Sequence, residues 1–153
     1  MTLSTDTWIY RNALLSPWSS YSWGAKVFFN DTSQPYNGAR SIKVVQKAWG
    51  ALSLHSGLGG ASIELDPSRF SAVSFVVNGG SSGMHLGVML EDDAGHSFPE
   101  IDLGWMPANT WVKVSVPMSQ LDPLGRVFDR VDIQHIGNVG RTYWVDDIDL
   151  VGP

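Results

Sequence analysis

Residues 142–151 read Thr142-Tyr143-Trp144-Val145-Asp146-Asp147-Ile148-Asp149-Leu150-Val151. Side chains alternate along a strand, so Trp144, Asp146, Ile148 and Leu150 fall on one face and Tyr143, Val145, Asp147, Asp149 and Val151 on the other. The first set reads as the core face, which buries Asp146 among a tryptophan, an isoleucine and a leucine. A buried carboxylate must be offset by a cation, a metal or several hydrogen-bond donors.

The same period of two recurs upstream. Ser41-Ile42-Lys43-Val44-Val45-Gln46, Ala51-Leu52-Ser53-Leu54-His55, Ala72-Val73-Ser74-Phe75-Val76-Val77, His85-Leu86-Gly87-Val88-Met89-Leu90-Glu91 and Trp111-Val112-Lys113-Val114-Ser115-Val116 are strand-sized, β-branched or alternating runs. Further strands are expected at Gly24-Ala25-Lys26-Val27-Phe28-Phe29 and from Val131 to Ile136. Breakers such as Asn78-Gly79-Gly80-Ser81-Ser82-Gly83 and Asp92-Asp93-Ala94-Gly95 separate them. No window of useful length has helical period; the pattern leaves room only for a single turn near Asp66–Phe70 or Met118–Leu121, Pro67 suiting a first helical position. Strands every eight to twelve residues imply an all-β, antiparallel two-sheet β-sandwich.

At 153 residues the chain is expected to form one domain, residues 1–153, large enough to build a core without staples. Its net charge is −5 and its Lys and Arg are scattered apart from Lys43 and Lys47, so no basic patch offers a nucleic-acid footprint. The absence of cysteine removes disulfides, thiol catalysis and cysteine zinc sites. Met1-Thr2-Leu3-Ser4-Thr5-Asp6 has neither a basic n-region nor an apolar h-region, and no apolar run approaches a membrane span. Neither a membrane nor a nucleic acid is therefore an expected partner.

Several pieces, taken in order, carry a family likeness. They are Tyr10, the aromatic loop with Trp18 and Trp23, Gly38-Ala39-Arg40-Ser41-Ile42-Lys43-Val44 before Trp49-Gly50-Ala51-Leu52, Leu65-Asp66 before Val73-Ser74-Phe75, Asn109-Thr110-Trp111-Val112-Lys113-Val114-Ser115-Val116-Pro117-Met118, and the closing Asp146-Asp147. Together they resemble a bacterial carbohydrate-binding module of jelly-roll type over nearly the whole chain. The resemblance implies a jelly roll, non-catalytic binding of a β-linked polysaccharide such as cellulose or another β-glucan, and an extracellular setting within a larger secreted parent enzyme. It also implies one structural calcium, for which Asp146 or Asp147 matches the closing-strand ligand and Asp31 lies in an oxygen-rich loop. Where such modules often carry an acid in the first strand, this chain has Arg11-Asn12. Arg11, Arg40 or Arg141 is therefore the alternative partner for Asp146.

Carbohydrate sites set an aromatic platform against the C–H face of a sugar ring and surround it with hydrogen-bonding side chains. With Leu52 and Leu54 inward, Trp49, Ala51, Ser53 and His55 face outward. With Leu86, Val88 and Leu90 inward, His85, Gly87, Met89 and Glu91 do the same. If the two strands share a sheet, Trp49, His55, His85 and Glu91 line one cleft, joined by Asp132 and Gln134. Against this, Trp49 is equally suited to cap a sandwich edge, an outward histidine is usually plain surface, and Glu91 opens the acidic turn Glu91-Asp92-Asp93.

Trp18, Tyr21 and Trp23, spaced by serines, form a second candidate platform, with Trp23 the one most suited to pack inside. Trp8, Trp105, Trp111 and Trp144 are assigned to packing. Catalysis is not expected: Glu64, Glu91 and Glu100 lie in no glycosidase signature, and no G-x-S-x-G, P-loop or H-E-x-x-H motif is present. The alternatives are a small polysaccharide lyase or hydrolase, for which His85, His55, Tyr143 and Arg141 are available, and a structural or adhesion domain.

Overall fold

Alternating β-branched and aromatic residues form ten strands in the computed structural model, which describes residues 6–153. Positions 1–5, most of the segment read for a targeting signal, lie outside the described residues. The strands are β1 (Thr7–Tyr10), β2 (Trp18–Ser20), β3 (Trp23–Asp31), β4 (Ser41–Ser56), β5 (Ala72–Asn78), β6 (Met84–Glu91), β7 (Ile101–Met106), β8 (Trp111–Pro117), β9 (Arg130–His135) and β10 (Arg141–Val151). A single turn forms at each of the two places the pattern left open, a 3₁₀ turn at Pro67–Arg69, capped by the Asp66 carboxylate on the Ser68 N–H, and α1 (Met118–Leu121). No helix among the described residues is long and apolar enough to cross a membrane.

One strand builds the sandwich. The first half of β4 pairs with β10 on one edge and β3 on the other, and its second half pairs with β9 and β2. Pairing then runs β3-β4-β10-β5-β8 in one layer, with β1 beside the end of β10, and β2-β4-β9-β6-β7 in the other. Every pairing is antiparallel, and Ile42, Val44, Phe75 and Val145 of the first layer share one buried core with Leu52, Leu54, Leu86 and Ile133 of the second. The fold class is all-β, an antiparallel two-sheet sandwich.

The two strands expected at residues 41–46 and 51–55 are one strand, bent between the layers at Trp49-Gly50. Trp49 adopts φ 57°, as does Gly24 across the bend. A Cβ on Gly50 would stand 2.3 Å from the Gly24 carbonyl oxygen and 3.0 Å from that of Trp23, both backbone atoms. Gly50→Ala therefore forces β3 and β4 apart and is expected to cost about 1–3 kcal/mol, as overpacking does. Urea denaturation checks this; an unchanged midpoint would show that the two backbones separate freely.

In β10 the expected alternation holds for only half the strand. Its register against β5 shifts between Asp146 and Asp149, and Asp147 sits at φ 49°. Such a bulge slips the facing by one residue. Tyr143 and Val145, expected outward, are buried before it, and Ile148 and Leu150 are buried after it. Trp144, expected inward, is only half-buried, and its indole N–H donates to Asp31 Oδ1 at 3.2 Å.

Asp146 lies at the switch and is fully buried, as expected. Its partners are backbone donors: Asn37 N–H at 3.0 Å and Tyr36 N–H at 3.3 Å to Oδ2, and Asp147 N–H at 2.8 Å to Oδ1. No guanidinium is among its hydrogen-bond or ion-pair partners. Burial still pushes its carboxyl above the ordinary range, against the pull of the Asn37 and Asp147 N–H groups.

Candidate functional site

The outer face of the β2-β4-β9-β6-β7 layer collects most of the chemistry. Directly opposed residues of antiparallel strands share a face, so the register lays it out in rows. Trp105 opposes His85. Gly87, Gln134, Ala51 and Trp23 form the next row, and Met89, Asp132 and Ser53 the one after it, extended by Tyr21, whose N–H donates to the Ser53 carbonyl. Glu91, Arg130, His55 and Ser19 make the last. Four strand spacings separate Trp105 on β7 from Trp23 on β3, about 19 Å of surface.

Aromatic rings stand at both borders of this face: Trp105 is 60% exposed, Trp49 55%, Trp23 40% and Tyr21 37%. Trp49 is presented by the β4 bend. Its N–H donates to the Gly137 carbonyl at 3.1 Å, and its own carbonyl accepts from Gln134 Nε2 at 3.2 Å and from the Trp23 indole at 3.3 Å. A non-glycine backbone at positive φ is thus held by three elements, and the ring is turned to solvent. Trp105 stacks on His85 with ring centroids 5.5 Å apart, and the Arg141 guanidinium lies 5.3 Å from its centroid.

The floor between the rings is low and polar. A Cβ on Gly87 would meet Glu100 Oε1 at 2.7 Å and Ile136 Cδ1 at 2.9 Å, which explains a glycine in mid-strand. Burial, with the nearby Asp102 charge, raises the Glu100 carboxyl above its ordinary range, while the Gly104 N–H and His85 hold Asp102 below it. His85 Nε2 lies 2.7 Å from Asp102 Oδ1, and Arg130 Nη1 donates to Glu91 Oε2 at 3.2 Å. Asp132 is fully buried; burial first, then the adjoining Glu91, pushes it up to about 9, so that it is neutral at pH 7. The face therefore combines flat apolar rings with imidazole, guanidinium, amide and carboxylate groups, the means to stack on and hydrogen-bond an uncharged polar ligand.

No protein-family model matches the chain. A curated relative, an endoglucanase of Dictyostelium discoideum, is 27% identical over 147 residues, 92% of this chain but 20% of that protein. The chain thus spans about a fifth of the relative's length. Among solved structures, a family 29 carbohydrate-binding module is superimposable with a TM-score of 0.68 at 18% identity, over 97% of this chain and 89% of that one. Variants of such a module complexed with mannohexaose (TM-score 0.67, 18% identity, 97% and 92% covered) and with cellulohexaose (0.68, 18%, 98% and 92%) are equally similar. The chain has the fold of a carbohydrate-binding module.

Within this module fold, Tyr21, Trp23, Trp49, His85, Glu91 and Gln134 come together on the one face with exposed or partly exposed side chains. Three expected site residues are placed otherwise. Trp18 is 4% exposed and belongs to the core, its strand position opposite Ser56 turning it inward. His55 is on the outer side but buried, because Tyr21 stacks on it at 4.0 Å with an interplanar angle of 8°. Asp132 lies beneath the floor. Trp105, assigned to packing, is the most exposed tryptophan, and Arg130 and Asp102 complete the polar set.

The acids expected to hold calcium do not converge. Asp31 Oδ1 accepts from Ser33 and the Trp144 indole, Asp147 Oδ2 accepts from the Asn37 amide, and both Asp146 oxygens face N–H donors. Asn12 Oδ1 accepts from the Ala39 and Arg40 N–H groups. These residues fit a calcium poorly, since a cation is repelled where N–H groups already point.

Proposed function

We propose that the protein is a non-catalytic module that binds an uncharged β-linked polysaccharide along the outer face of the β2-β4-β9-β6-β7 layer. The observation that carries this reading is the pair of aromatic borders, Trp105 on one side and Trp49, Trp23 and Tyr21 on the other, about 14–19 Å apart across a polar floor. An extended glycan crossing that floor stacks on rings at both ends and meets His85, Gln134 and Arg130 between them. Cellulose or another β-glucan is the ligand class favoured, with β-mannan the competitor, because similar modules are complexed with cellulohexaose and with mannohexaose. The likeness to part of an endoglucanase supports carriage on a larger, extracellular polysaccharide-degrading polypeptide.

Affinity electrophoresis and calorimetry with soluble β-glucans, mannans and xylans test the proposal. Binding to at least one neutral β-linked polymer is expected, with no release of reducing ends or unsaturated sugar. Absence of binding across the panel overturns the reading, and product release would favour a small lyase or hydrolase.

A further inference from the structure

His55, Asp93 and Asp129 come from separate parts of the chain, in β4, in the turn after β6 and just before β9, yet their ligand atoms lie within 4.8 Å of one another. His55 Nε2 lies 3.0 Å from Ser62 Oγ and 3.6 Å from Asp129 Oδ2, and the Ser62 hydroxyl donates to Asp93. Asp129 is 1% exposed, and neither of its oxygens makes a hydrogen bond of good geometry, although Ser62 and Asp93 lie close by. A buried carboxylate aimed at an imidazole nitrogen and a second carboxylate calls for a proton shared with that second carboxylate or for a compensating cation, and the imidazole nitrogen beside the pair favours the cation. Asp93 is exposed, and a cleft of about 310 Å³ lined by Asp92, Asp93, His96, Arg126 and Asp129 leads to the cluster.

We infer that His55, Asp93 and Asp129 form a binding site for a first-row divalent cation of the zinc class. One imidazole nitrogen with two carboxylate oxygens is a mixed donor set that zinc accepts at about 2.0–2.2 Å, whereas calcium prefers six or more oxygens. Ligand atoms within 4.8 Å of one another lie close to the spacing that such a centre requires. Ser62 Oγ or a water from the cleft supplies the fourth position. The ion would pin the loop after β4, the turn after β6 and the start of β9 to one another. It would also lock the imidazole on which Tyr21 stacks, tying the site to the border of the outer face. The inference stands on this cluster and not on the glycan reading.

Zinc chloride titrated into chelator-treated protein tests it. Calorimetry should show one ion per chain, and millimolar zinc should raise the melting temperature by several degrees, as ligand linkage requires. Asp93→Asn, at an exposed position, and Asp129→Asn, a near-isostere, should each weaken zinc binding roughly tenfold or more, while neither zinc-free variant melts below the parent. If millimolar zinc gives neither heat nor a melting shift, the inference is wrong. It is equally wrong if both variants bind zinc as the parent does, which would move the ion to the surface pair His85 and Asp102 or to His96 and Asp92.

Discussion

Trp105→Ala should lower affinity for the glycan proposed for the outer face about fivefold to tenfold and leave stability nearly untouched, whereas Trp18→Ala should do the reverse. An aromatic platform contributes about 1 kcal/mol beyond its burial, and 1.4 kcal/mol is a tenfold change in affinity. Trp105 also stacks on His85, so its removal frees a hydrogen-bonding imidazole from its stacked position. Because the indole is 60% exposed, its loss should stay near the 0.5 kcal/mol typical of surface changes. Trp18 packs in the core with Leu52, Leu54 and Phe128, and deleting so large a buried side chain costs about 3–5 kcal/mol. Calorimetric titration and chemical denaturation of both variants separate the effects. A Trp105→Ala isotherm that overlays the parent's would place the ligand elsewhere, and a Trp18→Ala protein with parental stability would contradict the core assignment.

Ile101–Met106 is a strand that the period of two did not single out, and the facing of Trp105 within it turns on a bulge. Ile101, Leu103 and Trp105 share a face in a regular strand, so one inward residue makes all three inward. In β7 the register skips between Leu86 and Gly87 of its neighbour, and Gly104 takes φ 74°. Ile101 then opposes the buried Val88 while Trp105 opposes His85 on the outside. The bulge at Asp146-Asp147 misplaces Trp144 and Tyr143 by the same slip. Alternation alone carries parity until the first residue at positive φ, and Gly104 was the legible warning. Asp147 gave none, since a non-glycine residue adopts that conformation only where its surroundings impose it.

Regular strands were legible because nothing interrupts their period. Leu52 and Leu54 point inward as β4 predicts, and Leu86, Val88 and Leu90 as β6 predicts. Those two strands do share a layer, separated by β9, which brings His85, Gln134 and the β4 bend onto one surface. Burial of His55 and Asp132 was not legible, because it depends on what lies over the sheet. Tyr21 arrives from a loop whose path no local pattern encodes.

Asp132 gives the fold a pH dependence of its own. In the unfolded chain an aspartate titrates near 3.9. In the folded chain burial, reinforced by Glu91 beside it and only partly opposed by Ser53 and Arg130, pushes Asp132 up to about 9. Between those values the folded protein keeps a proton that the unfolded chain has released. Stability therefore falls as pH rises, by at most about 1.4 kcal/mol per pH unit for one such group. Asp149, pushed up to about 7 by burial and by Asp6, adds to the slope below that value. On the acid side the sign reverses. Asp31, held below its ordinary range by the Ser33 and Trp144 donors, loses its contribution as pH falls below about 4. The melting temperature should thus peak near pH 4 and decline toward pH 9. Asp132→Asn, which keeps the shape and removes the ionisation, should flatten the decline and stabilise the protein at pH 8 by about 2 kcal/mol. Since the side chain lies beneath the floor, glycan affinity should hardly change. A melting temperature level from pH 5 to 9, or an Asp132→Asn protein less stable than the parent at pH 8, would show that Asp132 is ionised in the fold and compensated there by Arg130.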